Sequence, residues 1–344
     1  MLGTLCLVLG TLNFVLTKDQ STKYKVQSTK TQAPTEDNKT MTNLVECVPN
    51  FSEGRRPETV ERIVGSIESV ETTCVLDTHI DADHNRSVIT FVAAPERIVD
   101  AAVRAVATAA DLIDMRTHRG EHPRLGATDV LPFVPISGVT LDDCVVLAHE
   151  AGERIARELS IPVYFYERAA VLQNRVNLED VRRGALELLR EQITTNPDRA
   201  PDAGLPRLHE TAGAIAVGAR PFLIAFNVNL RCDDIASARQ IARAVRARQG
   251  GLPFVKALGF ELKTRGMVQV SMNLVNYQVT GMTEAYNAVR REAERMGVEV
   301  AGAEIVGLVP RNALDRKAEY FSRLEDFSEN KILENRLESC YQSP

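Results

Sequence analysis

The chain has 344 residues, 44% of them apolar and 25% charged, with a net charge of −5. Such a chain is globular and has room for two modest cores. The 41 Lys plus Arg are outnumbered by 46 Asp plus Glu, and no basic block is interleaved with aromatics, which argues against a nucleic-acid partner. The six cysteines (Cys6, Cys47, Cys74, Cys144, Cys232 and Cys340) form no CxxC pair. They read as reduced, interior thiols of a cytoplasmic protein rather than as zinc or redox ligands.

An apolar run from Met1 to Leu16 is too short to span a bilayer comfortably and lacks the charged start and cleavage site of a signal peptide, so no membrane partner is expected. A polar stretch without periodicity follows. Residues 1–40 therefore read as an extension, disordered or arising from an over-long start. From Asn43 the periods alternate: a strand Leu44–Val48, a helix from about Pro57 to Val70, strands Cys74–His79 and Ser87–Ala93, a helix from about Glu96 to Met115, and a strand Val130–Val134. Pro57 suits a first helical turn.

This β-α-β-β-α-β order is the ferredoxin-like split motif. It is extended by a helix Leu141–Leu159, for which Thr140 and Asp143 make a capping box, then by a strand Val163–Tyr166 and a helix Leu178–Ile193. The stretch NPDRAPDAGLPRLHETAGA (196–214) is the clearest boundary in the chain. After it the order recurs, with a strand Phe222–Leu230, a helix Ile235–Arg248, strands Val255–Leu262 and Met267–Val275, a helix Thr283–Met296 and a strand Ile305–Val309. The fold class is α/β (α+β): two tandem ferredoxin-like sandwich subdomains, residues 43–219 and 220–312, with a ligand groove between them and a helical tail, residues 313–344.

Between Thr117 and Asp129 the chain reads THRGEHPRLGATD, a concentration of polar side chains on backbone bent by Gly120, Pro123 and Gly126, where chemistry is to be sought first. His118, Glu121 and His122 spell HxxEH, nominally an inverted zinc-peptidase motif. Gly120 within it and Pro123 after it oppose the continuous helix that such a site needs, so no metal is expected. An unliganded imidazole suits general-base work near pH 7. His122, at the bend, is better placed for it than His118, which follows the helix end and can cap the helix dipole; a structural or binding role for His122 stays open.

The loop DADHNR offers Asp81, Asp83 and His84 to a metal or is a solvated turn, with Asn85 and Arg86 as substrate-binding candidates at a strand mouth. Asn227 and Asn229 fall on one strand face, where two amides call for a polar cavity or an exposed sheet surface. Neither GxGxxG nor GxxxxGK[ST] occurs, so dinucleotide and P-loop readings fail.

Six segments in order, LVECVPNFSEG, HNRSVITFV, LIDMRTHRGEHPRLGATDVLPFVP, PVYFYERAA, GARPFLIAFNVNL and VGLVP, make the chain from Asn43 onward resemble the glutamate formimidoyltransferases, folate-dependent enzymes of histidine degradation. These also form the N-terminal part of bifunctional formimidoyltransferase-cyclodeaminases. The resemblance implies a catalytic His122 and a folate-binding stretch of Gly204, Leu205, Pro206, Arg207, Leu208, His209, Glu210, Thr211, Ala212 and Gly213. It further implies tetrahydrofolate as co-substrate without a metal, glutamate or formimidoylglutamate as the second substrate, and a cytoplasmic homodimer. Asn85, Arg86, Arg124, Asn227 and Asn229 are then candidates for holding substrate. Arg207, Leu208 and His209 depart from the bifunctional relatives, and the cyclodeaminase part is missing. Rival readings are a glutamate formyltransferase using 5-formyltetrahydrofolate, a non-catalytic folate-binding module, and a zinc hydrolase.

Overall fold

The computed structural model describes residues 6–9, 12–18 and 24–28 as backbone, and residues 43–82, 84–120 and 123–341 in full. The chain divides into two compact units, Met1–Thr40 and Met41–Pro344. In the first unit, which the sequence reading takes as disordered or spurious, β1 (Cys6–Leu9), β2 (Leu12–Lys18) and β3 (Tyr24–Ser28) form an antiparallel sheet in that order.

The second unit holds two sheets. The first is built from β4 (Leu44–Cys47), β5 (Asn50–Phe51), α1 (Pro57–Glu68), β6 (Cys74–Asp81), β7 (Arg86–Ala93), α2 (Pro95–Leu112) and β8 (Thr128–Ser137). Pro57 and Pro95 each open a helix, where the missing N–H costs nothing. β4 and β5 lie in one row between β7 and β8, and β6 pairs with β7. This is the strand order that a split β-α-β motif requires.

The sheet is extended by α3 (Leu141–Leu159), β9 (Val163–Glu167), α4 (Leu178–Val181), α5 (Ala185–Gln192) and β10 (Ile215–Ala219). β10 lies between β8 and β9, parallel to both. One face of the sheet meets α1, α2 and α3 through Ile63, Ile89, Phe91, Val106, Phe133 and Ile155, all essentially inaccessible to water. The other face of its extended half is covered by α4 and α5 through Val181, Leu189, Tyr164 and Tyr166.

The second sheet repeats the motif: β11 (Ile224–Leu230), α6 (Ile235–Val245), β12 (Val255–Leu262), β13 (Met267–Leu274), α7 (Met282–Arg295) and β14 (Val300–Val306), in the order β12-β13-β11-β14 and antiparallel throughout. Its core joins Phe226, Val228 and Leu230 to Ile241 on α6 and Tyr286 on α7. The α8 (Glu319–Ser322) and α9 (Leu333–Tyr341) segments close the chain. Two tandem α+β subdomains result.

Some expectations require correction. The stretch at 196–214 is no free linker: Ala203 bridges Val163, Gly213 bridges Gly126, and the chain returns as β10 inside the first sheet. The helix expected at Leu178–Ile193 breaks at Gly184 and Ala185, both with positive φ. The last strand is Val300–Val306 rather than Ile305–Val309, and the tail carries the two short helices α8 and α9. Cys74 and Cys340 are joined as a disulfide, not held as reduced thiols; Cys47, Cys144 and Cys232 are free. The disulfide ties α9 to β6, and Arg336 adds a hydrogen bond from Nε to the Leu76 carbonyl (2.6 Å). Among the described residues no helix is long and apolar enough to cross a membrane.

Candidate active site

The segment between α2 and β8 is held by the stretch that precedes β10. Met115 N–H donates to the Thr211 carbonyl (2.8 Å), Ala127 N–H to the Ala212 carbonyl (2.8 Å), and Ala214 N–H to the Leu125 carbonyl (3.0 Å). Gly126 permits this approach, because a Cβ there would fall 2.2 Å from the Ala214 carbonyl oxygen. The two segments singled out by sequence, the histidine-bearing loop and Gly204–Gly213, are thus neighbours although some ninety positions apart. Arg116 joins them a second time, bonding Asp114 on its own loop and Glu210 on the other (3.0 Å).

Two adjoining cavities open here, about 310 and 250 Å³, and share Met115, Arg116 and Arg190. Arg119, Arg124 and Glu187 complete the first over an apolar floor from Leu186; Leu208, His209, Glu210 and Gly213 line the second. Guanidinium groups around apolar walls suit a flat ligand bearing carboxylates. Gly204, Leu205, Pro206 and Arg207 are exposed, with Leu205 at 70%, whereas Ala212 and Gly213 are buried. The His209 ring caps its own turn, accepting the Ala212 N–H at Nδ1 (3.0 Å).

Glu121 and His122 lie outside the described residues. His118, which the sequence reading lets cap the helix, does something else: α2 ends at Leu112, and the His118 ring is bonded at both nitrogens. Arg124 Nε donates to Nδ1 (2.9 Å) and Nε2 faces the Asn85 carbonyl (3.2 Å). A guanidinium only donates and a carbonyl only accepts, so the ring is the neutral tautomer with its hydrogen on Nε2. Burial holds its pKa below the usual histidine value, in the same direction. Both ring nitrogens of His118 are thus engaged, Nδ1 by Arg124 and Nε2 by the Asn85 carbonyl.

The loop 81–86 packs alongside. His84 Nδ1 lies 2.6 Å from Asp81 Oδ2, and this bond drives Asp81 down to about 2 against the opposing cost of burial. Asp83, the third member of the metal reading, is outside the described residues. Asn85, 8% exposed, accepts the Gly54 N–H at Oδ1 (3.0 Å) and donates Nδ2 to the Arg119 carbonyl (2.9 Å). Arg86 stands in the field of Asp81 and Asp129, with burial and the like charge of Arg182 pressing its pKa down. Arg124 is shared between His118 and Glu187 (2.8 Å).

Asn227 and Asn229 lie elsewhere, on the face of the second sheet opposite its helices. Asn227 Nδ2 meets Glu304 (3.3 Å), while Asn229 bonds Glu325 (3.1 Å) and Gln269 (2.9 Å). The Asn227 Oδ1 is buried without a partner among the described residues. This face looks towards the first subdomain: Phe260, in register with Gln269, meets the His84 ring edge-on at 5.3 Å, and Lys256 pairs with Glu167 (3.2 Å) and Glu179 (3.1 Å). His79 on β6, whose pKa burial presses below the usual histidine value, feels Glu304 across the same interface and Asp81 along its own strand. Sequence reasoning passed over His79, Glu304 and the Asp129–Arg182 ion pair, because each is made by strands or helices far apart in the chain.

Residues 44–220 match the family description "Formiminotransferase domain, N-terminal subdomain", and residues 225–337 match "Formiminotransferase domain". The chain belongs to the formiminotransferase family. It is 49% identical to the glutamate formimidoyltransferase of Thermoplasma acidophilum over 87% of this chain and 98% of that protein. The Streptococcus pyogenes serotype M1 enzyme of the same name is 45% identical, over 86% and 99%. Against the formimidoyltransferase-cyclodeaminase of Rattus norvegicus the identity is 41%, over 86% of this chain and 57% of that one. In this formiminotransferase the loop, the turn before β10 and the arginine-lined cavities lie together in the first subdomain.

Proposed function

We propose that the chain is a folate-dependent glutamate formimidoyltransferase, a one-carbon transferase that moves a formimino group between N-formimidoyl-L-glutamate and tetrahydrofolate in histidine degradation. The observation that carries this reading is its likeness to proteins of that name over 98% and 99% of their length. The guanidinium groups of Arg116, Arg119 and Arg190 fit substrates that all bear carboxylates.

Loading of folate requires N5 to attack the sp² formimino carbon, giving a tetrahedral intermediate. The bond from that carbon to the glutamate nitrogen then breaks. N5 gives up a proton and the departing amine gains one, so one neutral imidazole can take the first and return it as the second. We assign this to His122. Arg86 and the remaining donors of Arg124 hold glutamate carboxylates, Asn227 offers its unpartnered Oδ1, Asn229 belongs to the same polar face, and Gly204–Gly213 holds folate. A division between the subdomains at residues 219 and 220, a cytoplasmic location and a homodimer complete the proposal, with light scattering as the check on the last.

The deciding experiment assays formimidoylglutamate with tetrahydrofolate, and separately 5-formyltetrahydrofolate with glutamate, on the wild type and on His122→Ala. Formimino transfer is expected in the wild type, with loss of turnover by about 10²- to 10⁴-fold in the variant and folate binding retained. Near-normal turnover in the variant removes His122 from the role, and transfer from the formyl donor alone changes the group carried.

A further inference from the structure

We infer that His118 is a positioning residue, the centre of a brace with Asn85 and Arg124 that grips the chain on both sides of His122. The inference rests on the assignment of chemistry to His122 made above.

Three contacts meet at Asn85. Its backbone sits at φ 49°, in the left-handed region that asparagine tolerates better than most residues. Its amide spends both ends on backbone, on Gly54 N–H and the Arg119 carbonyl, and its own carbonyl accepts from His118. Three segments, 53–55, 84–86 and 118–120, are therefore tied through one side chain that is almost fully buried. Gly120 lies against the knot so closely that a Cβ would stand 2.5 Å from the His84 carbonyl oxygen and 3.2 Å from the His118 ring.

On the far side of His122, Arg124 is drawn back onto His118 Nδ1 and anchored by Glu187. Arg119 also donates from Nη1 to the His118 carbonyl (2.8 Å). The chain four positions before His122 and two positions after it thus meets at a single imidazole, that of His118, which Arg124 bonds. The charged groups facing that ring are Arg124, Arg55 and Glu53, with Arg119 on its own loop. A brace of this kind uses imidazole only as a rigid spacer with a donor at one end and an acceptor at the other. Glutamine carries the same pair of groups; alanine carries neither.

The test measures kcat, KM and the pH profile of formimino transfer for His118→Ala, His118→Gln and Asn85→Gly beside His122→Ala, with circular dichroism confirming folding. His118→Ala and Asn85→Gly are expected to lose about 10- to 100-fold in kcat with little change in KM, the scale of a reacting group displaced by about an ångström. His118→Gln is expected to recover most of that loss and keep the acidic limb of the wild-type profile. Loss of that limb in His118→Gln, or a kcat as low as that of His122→Ala, makes His118 the proton carrier and overturns the inference. Full activity in both His118→Ala and Asn85→Gly overturns it as well. Should His122→Ala alone prove active, the reading of His122 fails, while the glutamine rescue still reports on the brace.

Discussion

In the first subdomain the deeply buried polar residues include four that are charged, Glu46, Glu53, Asp129 and Arg175, whereas in the second they are all neutral: Asn227, Asn229, Ser237, Gln269 and Thr280. Both subdomains use one strand order, so architecture does not dictate the difference. For two of the four, Asp129 and Arg175, it follows from what is inserted; Glu53 is paired by Arg56 nearby in the chain, and Glu46 faces Arg220. Between β9 and β10 the first subdomain carries α4, α5 and the turn that folds back towards Leu125, and this layer brings Arg182 to Asp129 and Asp202 to Arg175. The second subdomain has no such layer and satisfies its amides from its own strands and from Glu325. A buried charge needs a partner delivered to it. The insertion that delivers those partners also delivers the turn that closes the candidate active site.

The comparison breaks most directly at Asp202. It pairs with Arg175 (2.6 Å), both side chains about 5% exposed or less, and its other oxygen accepts the Phe165 N–H (2.8 Å). Asp202→Ala strands the guanidinium, leaving it the Asp198 and Ala200 carbonyls and the Tyr164 ring. A loss of about 4 kcal/mol is expected in urea unfolding. A loss below about 1 kcal/mol would mean that the inserted layer does not hold the charge as described.

Glu46 gives the next effect, and it depends on pH. It stands buried on β4, and burial pushes its carboxyl up from 4.5 to about 7 despite the attraction of Arg220. Between these values the folded chain holds a proton that the unfolded chain has released, so stability falls as pH rises through that window. Below it both states are protonated and nothing is lost. Glu46→Gln, which keeps shape without charge, is expected to match the wild type near about pH 4 and to exceed it near about pH 8 by on the order of 3 kcal/mol. Equal stability at both pH values would show that the carboxylate is accommodated without penalty.

How much of this was legible from sequence follows the range of each interaction. The helix Leu141–Leu159 and its Thr140–Asp143 capping box are local, and both stand as read. So does the strand Val255–Leu262. β10 was lost to the neighbouring stretch because Ile215–Ala219 is short and contains glycine and alanine, and its place between two parallel strands is set by partners elsewhere. The disulfide joins cysteines 266 positions apart and leaves no local pattern. At the site, the polar loop announced itself by composition, but the engagement of His118 and Asn85 needed the positions of Gly54, Arg119 and Arg124 in space.

The smallest effect tests the two subdomains at their helix starts. In the first, α3 has a full capping box, Thr140 Oγ1 accepting the Asp143 N–H (3.1 Å) and Asp143 returning the bond to the Thr140 N–H (2.8 Å). In the second, α7 begins at Gly281 with no side-chain cap, although Glu284 stands at the third helical position, where a capping box would use it. Gly281 has φ −85° and ψ 175°, extended backbone open to any residue, and the nearest obstacle to a Cβ is the Tyr277 carbonyl oxygen at 3.6 Å. Gly281→Ser therefore adds a hydroxyl able to accept a free N–H of the first turn and removes conformational freedom from the unfolded chain. A gain of about 0.5 kcal/mol is expected in the urea midpoint at unchanged slope. An unchanged or lowered midpoint would show that the start of α7 is already satisfied in a way that the first subdomain's capping box does not share.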